Sequence, residues 1–302
     1  VTDHDASTAP RRRSVHFVPG GNDRFLDKAL SSSADTIVLD LEDSVPPDRK
    51  EAARTVVAEW LATVEPADKE LMVRVNALGT PWVSDDVEAI VPLRPRSLML
   101  PKVSTSDDLA KLDALTARHD PDGVVSFFPV ATETADAVVN LPDLGHHPRV
   151  DGLCWGAEDL SAELGGGAAR DETGRLLPVY VTVQSWCLLS ARAAGVQAVD
   201  AVFTDLGDED GLRREAELAA AMGFDGKITI HPGQIEIVNE AFTPSPAAIE
   251  EAVELLAEYD RARAEGRMAF SFRGQMVDAP HLTRARRLLG RAGVEPDARL
   301  DR

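Results

Sequence analysis

The chain has 302 residues, 44% apolar and 27% charged, with 32 Lys+Arg against 51 Asp+Glu for a formal net charge of −19. That length suits one large domain, such as an α/β barrel of roughly 250 residues, or two smaller ones. The acidity argues against nucleic-acid binding, which needs a basic face, and no apolar run reaches the ~18 residues of a membrane span.

Residues 1–12 hold no apolar period and read as a mobile arm without an export signal, which points to the cytoplasm. Strand candidates follow at 15–18, 36–39, 71–75, 97–100, 124–129, 150–154, 199–203 and 227–230. Their cores, such as TIVLD and SLMLP, are continuous apolar runs, as expected of strands covered on both faces. Helical periodicity fills the gaps. Residues 50–63 place Ala53, Val56, Val57, Trp60 and Leu61 on one stripe, and 107–118 repeats the pattern behind Ser106 as N-cap. Further helices are expected at 212–222 and at 244–265, the latter opening on a Ser-Pro start. The long gap between the sixth and seventh strands contains Gly165-Gly166-Gly167 followed by RDETGR, a stretch that reads as an extended loop over a barrel mouth, and then a helix ending in ARAAG. Strand–helix alternation repeated in this way predicts a (β/α)8 TIM barrel over residues 13–240. A doubly wound sheet is the alternative, but no G-x-G-x-x-G follows the first strand. Residues 241–302 are too many for one closing helix and form a C-terminal appendage with an Arg-rich last helix.

In such a barrel the chemistry collects at the C-terminal ends of the strands. Those positions carry Asp40, Glu42 and Asp43, then Arg74, Lys102, Glu133, Glu158 and Asp159, Asp205 and His231. Carboxylates from several strands, converging with an Arg and a Lys, suggest a hard divalent cation. Mg²⁺ takes oxygen ligands and is usually held by one or two carboxylates plus substrate and water. Without a cation such carboxylates repel one another. Each residue also has a bland alternative: Asp43, Glu133, Asp159 and Asp205 as helix caps or ion-pair partners, Lys102 as a solvated loop charge. Arg74 lies within an apolar strand, where a guanidinium needs a carboxylate or anionic partner. The two cysteines, Cys154 and Cys187, sit in apolar surroundings and read as reduced core residues, not a zinc site or a disulfide framework.

The segments RRRSVHFVPG, TIVLDLEDSV, MVRVNALGTPW, LMLPKV, GAEDL, DGKITIHPGQIEIVNEAF and GQMVDAPHLTRARRLL occur in order along nearly the whole chain. Together they resemble the citrate lyase β-subunit/malyl-CoA lyase family of the HpcH/HpaI aldolase superfamily. The resemblance implies a CitE-like, Mg²⁺-dependent lyase that cleaves or forms a carbon–carbon bond between an acyl-CoA and a 2-oxo acid, glyoxylate or pyruvate. It implies Glu133 and Asp159 as metal ligands, Arg74 as the cation that stabilises the developing alkoxide, and Asp40 and Glu42 as the acidic pair that orients Arg74 or metal-bound water. It further implies that Arg24 and Lys28, four apart on the helix after Pro19-Gly20-Gly21, contact coenzyme A along with Lys102. Asp278 would be the general acid/base on a C-terminal lid that enters a neighbouring subunit's site, in a homotrimer or homohexamer.

Two positions depart from the family pattern: Gln184 stands where many relatives have Arg, and CWGAEDL replaces a simpler turn. Malyl-CoA and citramalyl-CoA are the leading substrates on this reading. One alternative is a citrate lyase β-subunit acting on a citryl-acyl-carrier-protein thioester to give oxaloacetate. Another is a barrel kept only as a ligand-binding module, its chemistry lost with the Gln184 change.

Overall fold

The chain is described by a computed structural model covering residues 10–66, 68–267 and 269–294. It divides into two compact units, one of residues 12–242 and a second whose described part runs mainly from Thr243 to Val294. The first unit alternates β1 (Ser14–Pro19), α1 (Asp23–Leu30), β2 (Thr36–Asp40), α2 (Lys50–Thr63), β3 (Glu70–Arg74), α3 (Val83–Ile90), β4 (Ser97–Leu100) and α4 (Ser106–Thr116). It continues with β5 (Ser126–Pro129), α5 (Ala135–Gly145), β6 (Gly152–Cys154), α6 (Glu158–Leu164), α7 (Pro178–Ala194), β7 (Gln197–Asp200), α8 (Glu209–Met222), β8 (Gly226–Thr229) and α9 (Gly233–Phe242).

The eight strands run parallel in the order β5-β4-β3-β2-β1-β8-β7-β6. Bridges Phe127↔Val150 and Val130↔Cys154 join the two ends, so the sheet closes as a (β/α)8 barrel. Successive strand residues point to opposite faces, which explains why the strands are apolar throughout. One set, including Val15, Val38, Met72, Met99, Phe128, Cys154, Val199 and Ile228, fills the lumen. The other, including Ile37, Leu39, Val73, Leu98, Phe127 and Leu153, packs under the helices.

Local signals set the helix starts. Thr105 and Asp108 form a reciprocal capping box on α4, Thr134 caps α5, Asp208 caps α8, and Ser245 accepts from Ala248 N–H in the second unit. Thus Thr105 caps α4 where Ser106 was expected, and Asp208 takes the capping role considered for Asp205. The gap between β6 and β7 holds α6 and the seventeen-residue α7, and the Gly-rich stretch lies in the long loop of residues 165–177 between them. Helix α7 opens on Pro178 and ends at Gly195 with φ 76°, a proline start and a glycine stop.

The expected arm falls outside the described residues up to position 9, but its last residue is fixed. Arg12 is 1% exposed: its Nε and Nη2 donate to Glu70 at 2.8 and 2.7 Å, and Nη2 also reaches Asp151 at 2.8 Å. Its guanidinium lies 5.0 Å from the centre of the Phe128 ring. The start of β8 must be glycine here, because a Cβ on Gly226 would stand 1.7 Å from the Arg12 carbonyl oxygen.

In the second unit α10 (Pro246–Ala264) is followed by a hairpin of β9 (Phe270–Phe272) and β10 (Gln275–Val277), then α11 (Ala279–Arg291). Arg273 and Gly274, both at positive φ, make the hairpin turn. Ala252, Leu256, Phe270, Val277, Leu282, Ala285 and Leu289 form its own core. No helix among the described residues is long and apolar enough to cross a membrane.

Candidate active site

The site grows from the register of β2 and β3, which pairs Asp40 with Arg74. Arg74 Nε and Nη2 donate to the two oxygens of Asp40 at 2.7 and 2.8 Å, and Nη1 lies 3.0 Å from Glu42 Oε2 and 3.7 Å from Asp43. The guanidinium also stacks 4.7 Å from the centre of the Phe17 ring. Asp40 does more than hold Arg74. Its oxygens accept the backbone N–H groups of Glu42 (2.9 Å) and Ser44 (3.1 Å), which folds the turn after β2 around the carboxylate. Gly20 permits β1 to approach, donating its N–H to the Asp40 carbonyl at 2.9 Å where a Cβ would stand 2.7 Å from that oxygen.

Lys50 braces the same turn. Its buried ammonium donates to the carbonyls of Leu41 (2.8 Å) and Glu42 (2.7 Å). In the sequence Lys50 is simply the first residue of an amphipathic helix, and nothing local marks its task.

From β4, β5 and β6 come the remaining groups. Lys102 follows the strand β4 with φ 54°, left-handed backbone that is unusual for a residue with a side chain. Its N–H donates to Glu133 Oε2, and its ammonium lies 2.9 Å from Glu42, 3.7 Å from Asp43 and 3.7 Å from Asp159. Thr132 ties β5 to β6: its hydroxyl accepts Gly156 N–H at 3.0 Å and donates to Gly156 O at 3.3 Å. Asp159 lies in the first turn of α6, so neither it nor Glu133 serves as a cap; Thr134 caps α5 and Ala157 precedes α6.

The electrostatics differ from one carboxylate to the next. Burial opposes ionisation of Asp40, but the Arg74 hydrogen bonds and charge, with the Ser44 and Glu42 contacts, hold its pKa below the ordinary value. Glu42 goes the other way: burial and the neighbouring Asp43 outweigh Arg74 and Lys102, and its pKa rises. Glu133 is pushed up to about 8, first by burial and then by the charges of Asp159 and Glu42, against the Lys102 N–H and Arg74. Among the described residues no group of three or more His, Cys, Asp or Glu is arranged as a metal cage. A cation held by two carboxylates, water and substrate does not require one. Glu133 and Asp159 suit that mode, and the buried Glu42 Oε2 has no aligned hydrogen-bond donor.

The other anticipated residues lie elsewhere. Arg24 and Lys28 are exposed on α1, whose N-cap is Asn22. A cavity of about 370 Å³ is lined by Pro19, Gly21, Ser44, Val45, Arg49 and Ala53, among others. It adjoins the Gly20-Gly21 turn and contains a cation, Arg49, that the strand-end reading missed. Asp205 accepts Gly207 N–H in a turn, and His231 accepts Gly233 N–H. Asp278 belongs to the second unit, where it opens α11 with Oδ1 2.8 Å from His281 Nδ1. Gln184 is buried and donates to Asp200 at 2.9 Å, beside Trp155 Nε1 (2.6 Å) and the fully buried ammonium of Lys227 (2.7 Å). Cys154 and Cys187 are free and buried.

Two family models match the chain: HpcH/HpaI aldolase/citrate lyase over residues 13–232, and a C–C bond lyase of the TIM-barrel fold over residues 176–294. The (3S)-malyl-CoA thioesterase of Cereibacter sphaeroides is 38% identical over 285 residues, covering 93% of this chain and 94% of that protein. Mitochondrial citramalyl-CoA lyase of Mus musculus is 35% identical over 297 residues, covering 92% and 85%. A crystal structure of CitE from Mycobacterium tuberculosis with magnesium, acetoacetate and coenzyme A superposes with a TM-score of 0.78 at 37% identity, covering 95% of this chain and 99% of that one. The chain therefore belongs to the HpcH/HpaI aldolase/citrate lyase family, a family of lyases.

Proposed function

We propose that the chain is a Mg²⁺-dependent lyase that cleaves, or condenses, a β-hydroxyacyl-CoA such as malyl-CoA or citramalyl-CoA, giving an acyl-CoA and glyoxylate or pyruvate. The observation that carries this reading is Arg74, held by Asp40 and Glu42 on the strand ends that also bear Glu133 and Asp159. Crystals of the Mycobacterium tuberculosis relative with magnesium and coenzyme A, and with magnesium and pyruvate, support a metal, a coenzyme A thioester and a 2-oxo acid as the ligands here.

Glu133 and Asp159 would hold the cation. When bound, Mg²⁺ supplies a Lewis acid for the keto oxygen of the 2-oxo acid. Arg74 adds a fixed guanidinium beside that oxygen, which bears negative charge as the alkoxide left when the β-hydroxyl loses its proton in cleavage, and as the carbon–carbon bond forms in condensation. Asp40, ionised and gripping two of its nitrogens, keeps it aimed. In cleavage the β-hydroxyl gives up its proton and the thioester enolate takes one at its α-carbon. Asp278 is assigned one of those transfers, reaching the site of a neighbouring subunit in a homotrimer or homohexamer. The cavity beside the Gly20-Gly21 turn, with Arg49 in its wall, offers a place for part of the coenzyme A, and Arg24, Lys28 and Lys102 offer further cations. The buried free thiols suit a reducing, cytoplasmic setting.

The name of the Cereibacter relative raises a second reading, hydrolysis of the thioester. Product analysis separates the two. Incubation with malyl-CoA or citramalyl-CoA should release a 2-oxo acid, glyoxylate or pyruvate, trapped as its phenylhydrazone, with no new free thiol. Release of coenzyme A and free malate without glyoxylate would replace the lyase reading by the thioesterase one.

A further inference from the structure

Lys102 uses two different groups, its backbone amide and its ammonium, on two different strand ends. Its left-handed backbone, at φ 54°, turns the amide N–H towards Glu133 on the β5 side. The same residue sends its ammonium among Glu42, Asp43 and Asp159, at 2.9, 3.7 and 3.7 Å. Left-handed backbone is strained for a residue with a Cβ and persists where its surroundings enforce it. Glycine would adopt this backbone without strain and make the same amide contact, so the amide alone gives no reason for a long cationic side chain here.

The ammonium meets the carboxylates at the place where the proposed ligand Asp159 must also meet a divalent cation. Two cations sharing one carboxylate repel each other, and the repulsion is largest when the carboxylate is partly withdrawn from water. We infer that Lys102 is a positioning residue that acts as an internal counter-ion. Its ammonium holds Glu42, Asp43 and Asp159 together while no metal is bound and competes with the divalent cation for Asp159. It thereby weakens metal binding while keeping the cluster assembled. The inference rests on the reading of Glu133 and Asp159 as metal ligands.

Calorimetric titration of the full chain with MgCl₂, without substrate, tests it. Lys102→Met removes the charge at similar length, Lys102→Gly removes the whole side chain while suiting the backbone, and Lys102→Arg keeps the charge. Both uncharged variants should bind Mg²⁺ roughly tenfold more tightly than the parent, as expected for losing one nearby like charge in a partly solvated site, while Lys102→Arg stays near the parent value. Unchanged or weaker binding in Lys102→Gly and Lys102→Met overturns the inference. The Glu133→Ala and Asp159→Ala variants serve as the control on the underlying reading. If they bind Mg²⁺ like the parent, the metal assignment falls and the inference with it. If they lose Mg²⁺ while the uncharged Lys102 variants do not gain it, only the counter-ion role fails.

Discussion

Asp40 and Arg74 are register partners on β2 and β3, and Arg74 grips both oxygens of Asp40 while turning its remaining nitrogen to Glu42. The pairing makes the cation rigid at low cost, because a planar guanidinium matches a carboxylate in two parallel bonds. Lysine has no such fork. Arg74→Lys should therefore lower kcat by about 10²–10³-fold, the scale of losing one pre-aimed donor to a developing oxyanion. Arg74→Ala should in addition leave the buried Asp40 unpaired and cost about 3–5 kcal/mol of stability, read from urea melts. An Arg74→Lys enzyme with parental turnover would remove Arg74 from the chemistry.

Magnesium uptake should be linked to a proton. With no metal bound, Glu133 titrates at about 8, so at pH 7 it is largely protonated. A carboxylate must lose that proton to ligate a cation. Calorimetry in buffers of different ionisation enthalpy should count close to one proton released per Mg²⁺ at pH 7. The affinity should climb about tenfold per pH unit up to roughly pH 8 and level off above it. Release of no proton at pH 7 would contradict this.

His16 gives the barrel an acid-side weakness. Burial, and the nearby His231, lower its pKa to about 4 despite a contact with Thr229, so it stays neutral in the fold, whereas the unfolded chain takes up a proton near 6.5. Because the unfolded state binds more protons between those values, stability is full above about pH 6.5 and falls as the pH drops towards 4. Comparing the chain with His16→Gln isolates this term from the carboxylates that titrate nearby. The variant should lose less stability across that window, by up to about 1.4 kcal/mol per pH unit. Parallel pH–stability curves would contradict the assignment.

At the opposite end of the strands, Arg12 closes the barrel on Glu70 and Asp151. Arg12→Met should cost about 3–5 kcal/mol by stranding the buried Glu70. The double variant with Glu70→Leu should recover a large part of that loss in chemical denaturation, since an apolar pair replaces a broken ionic one.

The barrel was legible because its strands are apolar on both faces, as in a parallel sheet covered by helices, and because strand and helix alternate through eight strands with no dinucleotide fingerprint after the first. The strand-end carboxylates were legible for the same reason, as each interrupts an apolar run. Other parts left no local trace. Lys50 looks like any helix surface lysine until the fold folds its ammonium under Leu41 and Glu42. Arg12 looks like arm until β3 brings Glu70 beneath it. Gln184 looked like a lost charge at the site, but it is buried against Asp200, whose charge Lys227 already balances. That arrangement gives the substitution a structural partner and weakens the reading of the barrel as a disabled binding module.

The central claim is that the cluster of Arg74, Glu133 and Asp159 breaks a carbon–carbon bond. Its most direct test follows 2-oxo acid release from malyl-CoA and citramalyl-CoA by the full chain with Mg²⁺, beside Glu133→Ala, Asp159→Ala and an EDTA-treated sample. The account expects glyoxylate or pyruvate from the parent and at least a hundredfold less from each of the other three, on the scale of losing a main electrostatic stabiliser. Equal release in all four samples, or thioester hydrolysis with no 2-oxo acid in any, would contradict it.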